Sequence, residues 1–468
     1  MSDELWRKGA SELAELIHAK KVSSREVVDA HLARIEEVNG HLNAVVRVFA
    51  DSAIADADAA DAAVARGDDL GALHGVPFTI KANIDVAGLP TTHGVMPFAE
   101  AVVPIDAPIV ERMRAAGAIP LARTNLPDMG LRVHTDSSLH GLTRNPWHPD
   151  RTAAGSSGGE ASALASGMTP IGLGNDIGGS LRNPANACGI TSIKPTTNRV
   201  PFASLVPVED NGLAFHLMAT DGPMARHVAD LRVALSIIAG PHRRDPYCVP
   251  APLAHADAAA PVRIAVVAAP PGGHTDPAIA AIVRSAGEIL GAAGYDVVEI
   301  IPPAYEDAIN CWAAFLMNEL RAVEPLLGSI IGADGMSFLH AALDAVPDLS
   351  VAEIAAVHVQ RHGIARQWSM FMDDHPIVIS PTWAQPPFTH GWDIESPARA
   401  VETLTIMRPV LPANLIGLPA GVVPGGVSDG LPVGVQVIGR RFREDQVLAA
   451  MEVVEAAVGR LTPINPLR

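Results

Sequence analysis

Cysteine is nearly absent: Cys188, Cys248 and Cys311 stand about sixty residues apart, with no CxxC pair among them. That scarcity excludes a disulfide framework and a thiolate zinc site, and it fits a reducing compartment. Positive charge is short as well. Thirty-four Lys and Arg against 51 Asp and Glu leave a formal net charge of −17. Such a balance argues against nucleic acid or an anionic membrane as partner. No apolar run reaches the length of a membrane span. The opening MSDELWRKGA lacks a basic-then-apolar signal, so a cytoplasmic location is the expectation. Internal repeats and low-complexity linkers are missing too.

What the chain does have is apolar mass. Of 468 residues 48% are hydrophobic and only 18% charged, enough for a sizeable core and too apolar for disorder. The stretch SSREVVDAHLARIEEVN opens with a capping box, Ser23 to Glu26, and puts Val28, Leu32 and Ile35 on one helix face. A second, alanine-rich helix is expected from Asp51 to Arg66, stopping at Gly67. The period then changes: VPFTIKANIDVAG (76–88) and AIPLART (118–124) read as buried strands. Strand, helix and strand alternate from Arg263, and HPIVIS, AGVVPGG and PVGVQVIG add strands before a closing helix. This mixture predicts an α/β fold, one large domain over 1–468 with a mixed sheet covered by helices on both faces. Within it, 1–70 is a helical N-terminal region, 76–200 the core, 201–400 a variable region and 401–468 the C-terminal strands and helix. The proline-rich 241–261 is the best candidate boundary, yet strands continue on both sides of it.

Two glycine-serine knots stand out in AGSSGGEASALASGMTPIGLGNDIGGSLRNPANACG (154–189). Gly172, Gly174 and Gly178 are spaced one residue too long for a dinucleotide fingerprint, which disfavours a nucleotide cofactor. Gly155–Gly159 matches G-x-S-x-G formally, but NPWHPDRTAA before it shows no strand pattern, and His390 precedes Asp393, the wrong order for that fold. A different arrangement accommodates both knots. Ser156 sits before a short helix, and DIGGS can converge the N–H groups of Ile177, Gly178, Gly179 and Ser180 on one point, an oxyanion hole beside a serine. The candidate base is Lys81, alone at the end of an apolar strand; a lysine kept from water has a lowered pKa. Serine with lysine is a known form of activated hydroxyl nucleophile.

These residues resemble the amidase signature family, whose hallmark has the form GGSSGG…GxDxGGSxRxPA…CGxxGxKP. The likeness runs over nearly the whole chain: GVPFTIKANIDVAGLPTTHG, TNLPDMG, TRNPWHPDR, GPMARHVADL, NLIGLPAGVVPGG and GLPVGVQVIG all take part. The resemblance implies the fold of that family and a Ser-Ser-Lys triad: Ser180 as nucleophile, Ser156 as bridging serine on a cis peptide, Lys81 as base. It further implies oxyanion N–H groups at Ile177, Gly178 and Gly179, and bracing by Ser157, Asp176 and Arg182. Gly130 and Leu131 match a loop facing the acyl group. Three departures stand out. Ala82 replaces the aspartate that often follows the lysine, Ala154 replaces a glycine, and SIKPTTNRV differs from the GLKPTYGRV typical of the A-type component of tRNA-dependent amidotransferases.

The implied activity is hydrolysis of a small, apolar or aryl amide through a serine acyl-enzyme, with ester or carbamate cleavage close by. No cofactor or metal is expected, and the partner is the small-molecule substrate; the N-terminal helices offer a surface for a homodimer. The alternative is a glutamine-hydrolysing A-type component of a tRNA-dependent amidotransferase. His358 and His362, at i and i+4, lack the glutamate of a zinc motif and read as a solvated helix face. Trp312, Phe315, Trp383, Phe388 and Trp392 read equally as core or as cleft. Specificity is expected in 201–217 and 305–344, the segments least like the family.

Overall fold

The computed structural model describes residues 2–207, 212–253 and 262–467; part of the proline-rich 241–261 and of 201–217 therefore lies outside the described residues. Eleven strands form one mixed sheet. From edge to edge they run Val45–Val48, Ile119–Thr124, Pro77–Lys81, Ile171–Asp176, Thr220–Ala225, Thr191–Lys194, Ala420–Ser428, Leu431–Gly439, Ile377–Pro381, Arg263–Val266 and Asp296–Glu299. The strands at the centre are buried along most of their length, which is why they read as continuous apolar runs rather than alternating ones.

The helices form as their local signals dictate. Ser23 closes a reciprocal capping box with Glu26 at the start of Ser24–Leu42, and Gly67 ends Ala50–Arg66 in the left-handed conformation. The closing helix Glu444–Val458 packs against the two C-terminal strands. Among the described residues no helix is long and apolar enough to cross a membrane.

One expectation needs correcting. NPWHPDRTAA does contain a strand, His148–Thr152, which pairs with Arg144–Asn145 in a small ribbon apart from the main sheet. Its prolines hid it, because Pro149 is tolerated at the edge of so short a ribbon.

The pairing that matters for the site is parallel. Pro77–Lys81 runs alongside Ile171–Asp176, with Thr79 opposite Gly172 and Ile80 opposite Leu173. Their carboxyl ends therefore finish together, and the crevice beyond such ends is where open α/β sheets bind ligands. Lys81 sits at one end; at the other, Asp176 leads into the 177–180 turn.

Candidate active site

Lys81 is wholly buried, and its Nζ donates to Ser156 Oγ at 2.7 Å and to Asn175 Oδ1 at 2.7 Å. Burial lowers its pKa from 10.5 to about 7, against the opposing pull of the Asp176, Asp221 and Glu160 carboxyls. A large part of the lysine population is therefore neutral near pH 7 and able to accept a proton. Ser156 is itself buried, and the Gly155–Ser156 peptide is cis. The preceding Ala154 has φ 59°, a left-handed conformation that strains a residue with a Cβ. Here lies the physical reason for glycine in the family pattern. Thr152 Oγ1 and Thr135 Oγ1 hold this alanine through its N–H and carbonyl, at 2.9 and 2.8 Å.

Ser180, from the other knot, lines the same cavity as Ser156. It is half-buried, its Oγ takes no partner among the described residues, and its carbonyl accepts from Ser157 N–H at 3.3 Å. The 177–180 turn is braced by the Asp176 carboxylate, which accepts from Gly179 N–H (2.7 Å), Leu181 N–H (3.2 Å) and Asn414 Nδ2 (2.8 Å). Arg182 adds Nε and Nη2, both at 3.0 Å. Burial alone would raise the Asp176 carboxyl, but the Arg182 guanidinium together with Lys194 and the Asn414 amide outweighs it and holds the group at about 2.

One consequence alters the expected oxyanion donors. The Gly179 N–H is committed to Asp176, whereas the N–H groups of Ile177, Gly178 and Ser180 have no partner among the described residues. Ile177 also lies on the cavity wall. Gly179 has a φ of 93°, and a Cβ there would also press on Asn183 and Val410, so glycine is required for two reasons.

Ser180 stands where two chambers meet. The larger holds about 310 Å³, and its walls are mostly apolar, with Met129, Phe202, Phe215 and Leu320 among them. Its polar lining includes Asn83, Asp85, His93, Asn175, Asp221 and Glu319. The smaller, about 70 Å³, is closed by Trp312, Phe338, Leu339 and Met407. Gly130 and Leu131 line both, and a Cβ on Gly130 would come within 3.2 Å of Ser156 Oγ. Ser157 packs behind, its Oγ without a hydrogen-bond partner among the described residues. Trp383 and Phe388 are core, stacked 5.6 Å apart, while Trp312 serves both core and chamber. His358 rests edge-on against Phe315.

Several site residues escaped the sequence reading. Asn175 fixes Lys81 from the next strand, and its Nδ2 donates to Asn83 Oδ1 at 3.1 Å. Glu160 is buried under the lysine strand between Thr79 and Thr124, and burial raises it to about 7. Asp221 lies opposite Asn175 on the neighbouring strand, and burial raises it to about 8. Asn414 and Gln436 complete the shell around Arg182. A signal existed for three of them. Glu160 is the lone acid in a helix of small residues, and Asn414 and Gln436 are lone amides in apolar runs, and a polar group inside an apolar run must find a partner.

Comparison with known proteins agrees with this geometry. The profile of the Amidase family matches residues 26–448. An indoleacetamide hydrolase from Bradyrhizobium diazoefficiens is 39% identical, over 98% of this chain and 88% of that protein. The A-type component of a glutamyl-tRNA(Gln) amidotransferase from Synechococcus sp. is 33% identical, over 93% of this chain and 94% of its own. The crystal structure of a bacterial aryl acylamidase of the amidase signature family superposes with a TM-score of 0.82 at 28% identity, covering 98% of this chain and 96% of that one. By profile, sequence and fold alike, the chain belongs to the amidase signature family and is a hydrolase acting on the carbon–nitrogen bond of amides.

Proposed function

We propose that this chain hydrolyses a small aryl or alkyl amide through an acyl-enzyme on Ser180. The observation carrying that reading is the buried Lys81–Ser156 contact at 2.7 Å beside Ser180, at the junction of two apolar chambers. Neutral Lys81 takes the proton of Ser156 Oγ while Ser156 takes that of Ser180. Ser180 Oγ bonds to the carbonyl carbon, and the negative oxygen lies against the N–H groups of Gly178 and Ser180, with Ile177 beside them. The proton returns along the same relay to the nitrogen, the C–N bond breaks, and the amine leaves. Water then attacks the ester with the relay as base, releasing the acid and restoring Ser180. Esters and carbamates enter the same sequence with a different leaving group.

A chamber of about 310 Å³ accommodates a bicyclic aryl group, in keeping with the indoleacetamide hydrolase likeness. The amidotransferase likeness sustains a second reading, glutamine hydrolysis inside a larger complex. The cavity lining counts against it. Among the described residues no Arg or Lys lines the larger chamber, and Arg132 on the smaller one is paired with Asp393 at 2.9 Å. The α-carboxylate of glutamine would find no cationic partner there and would instead meet the acidic side chains of Asp85 and Glu319.

A panel of aryl acetamides, anilides, esters, carbamates and glutamine tests both readings, with mass spectrometry for an adduct. The expected result is turnover of the aryl acetamides by the chain alone and an acyl mass on Ser180. Turnover of glutamine only, or only with partner proteins, would move the assignment to the second reading.

The pH profile follows from the lysine. Below its lowered pKa, Lys81 is protonated and cannot act as base, so kcat/KM is expected to rise with pH and level off above about 7. A profile flat from about pH 5 to about pH 10 would remove Lys81 as the titrating base.

A further inference from the structure

All four carbonyls of the 177–180 turn are held. Gly178 O accepts from Asn183 Nδ2 (3.1 Å), Gly179 O from Asn183 N–H (2.6 Å) and Ser180 O from Ser157 N–H (3.3 Å). These donors belong to the signature itself. The fourth does not: Ile177 O accepts from the indole Nε1 of Trp312 at 2.9 Å, and Trp312 lies on the helix Tyr305–Leu327, far outside the signature.

In a trans peptide the C=O and the following N–H point in opposite directions. Fixing the Ile177 carbonyl on Trp312 therefore fixes the Gly178 N–H away from it, and that N–H has no partner among the described residues. The ring is also pressed against the same peptide. A Cβ on Gly178 would lie 2.7 Å from Trp312 Cζ2, so the glycine leaves room for the indole. Trp312 is buried and forms a wall of the smaller chamber together with Leu316, Phe338 and Met407.

We propose that Trp312 is a positioning residue for the reaction, its indole N–H aiming the Gly178 N–H at the oxygen that becomes negative in the transition state. The proposal rests on the hydrolytic reading with Ser180 as nucleophile. It gives the variable region a part in building the oxyanion hole, in addition to shaping the pocket.

The test deletes the N–H and keeps the ring. Trp312→Phe is paired with 3-benzothienylalanine at position 312, which preserves the bicyclic shape and replaces N–H by sulfur. With phenylacetamide as substrate, kcat is expected to fall about tenfold with KM within about twofold, short of the hundred- to thousandfold loss for removing an oxyanion donor outright. Affinity for phenylboronic acid, which forms a tetrahedral adduct on the serine, falls by a similar factor, and the acyl-enzyme carbonyl stretch moves to higher frequency. An unchanged kcat and boronate affinity in the benzothienyl protein overturns the proposal even if Trp312→Phe fails to fold. A change confined to KM overturns it too, since that marks a pocket wall alone. Wild-type protein that neither turns over the amide nor binds the boronate would instead sink the hydrolytic reading, and this proposal with it.

Discussion

Replacing Ser180 by alanine is expected to lower kcat/KM by at least about 10⁴-fold while leaving the fold intact. The side chain is half-buried, and its Oγ takes no hydrogen bond from the described residues, so its loss opens no network and leaves no buried group unpaired. In the proposed reaction every covalent step runs through that oxygen, so little beyond binding and oxyanion stabilisation would survive. Lys81→Met belongs to the same unit. Once either member is gone the relay is broken, so the double variant is expected to be no slower than the worse single one. Measured kcat/KM on an aryl acetamide, with the thermal midpoint alongside, decides the matter. A Ser180→Ala protein keeping a tenth of the activity would mean that another group attacks the carbonyl.

Asp176→Asn is expected to produce the largest loss of stability from a single atom exchange. The carboxylate accepts five hydrogen bonds, two of them from Arg182, and neither partner is reached by solvent. Removing its charge strands a buried guanidinium, whose remaining partners, Val410 O, Gln436 Oε1 and Asn414 Oδ1, are all neutral. Breaking such a pair from one side costs about 3–5 kcal/mol. The amide nitrogen also cannot accept from the N–H groups it would face, so the 177–180 turn loosens and activity falls with stability. The pair has a pH signature. The folded pKa of Asp176, about 2, lies below its usual 3.8, so its contribution is complete above about pH 4 and is lost as pH falls through about 2. A lowered thermal midpoint at neutral pH, with the gap to wild type closing in acid, is the expected pattern. An unchanged midpoint would show that Arg182 is content with its neutral partners.

The site was legible in the sequence to the extent that glycine, serine and one misplaced charge mark it. Lys81 at the end of an apolar strand and the two knots announce themselves, because residues that break a local pattern need a reason. The closing apolar strands were legible as strands but not as neighbours of the signature. Nothing in PVGVQVIG tells that Gln436 meets Arg182, 254 positions away, since that contact depends on strand order. Asn175 was hidden by its surroundings, lost among the glycines of the knot. The ribbon strand His148–Thr152 was hidden by its prolines. Gly179 looked like an oxyanion donor because spacing shows which N–H groups lie close together and not which of them an internal carboxylate has already taken.

Strand order also bears on how the protein comes into being. The neighbours of Thr191–Lys194 in the sheet are Thr220–Ala225 on one side and Ala420–Ser428 on the other, and the latter is zipped to Leu431–Gly439. During synthesis the signature segment therefore emerges more than two hundred residues before the strand that completes its sheet and the amides that satisfy Arg182. A chain stalled before that point carries a raw strand edge and an Arg182–Asp176 pair still lacking its Asn414 and Gln436 partners, and an open strand edge is a feature that attracts chaperones and proteases. The sheet beside the signature, and the shell around Arg182, are thus completed only by the last part of the chain.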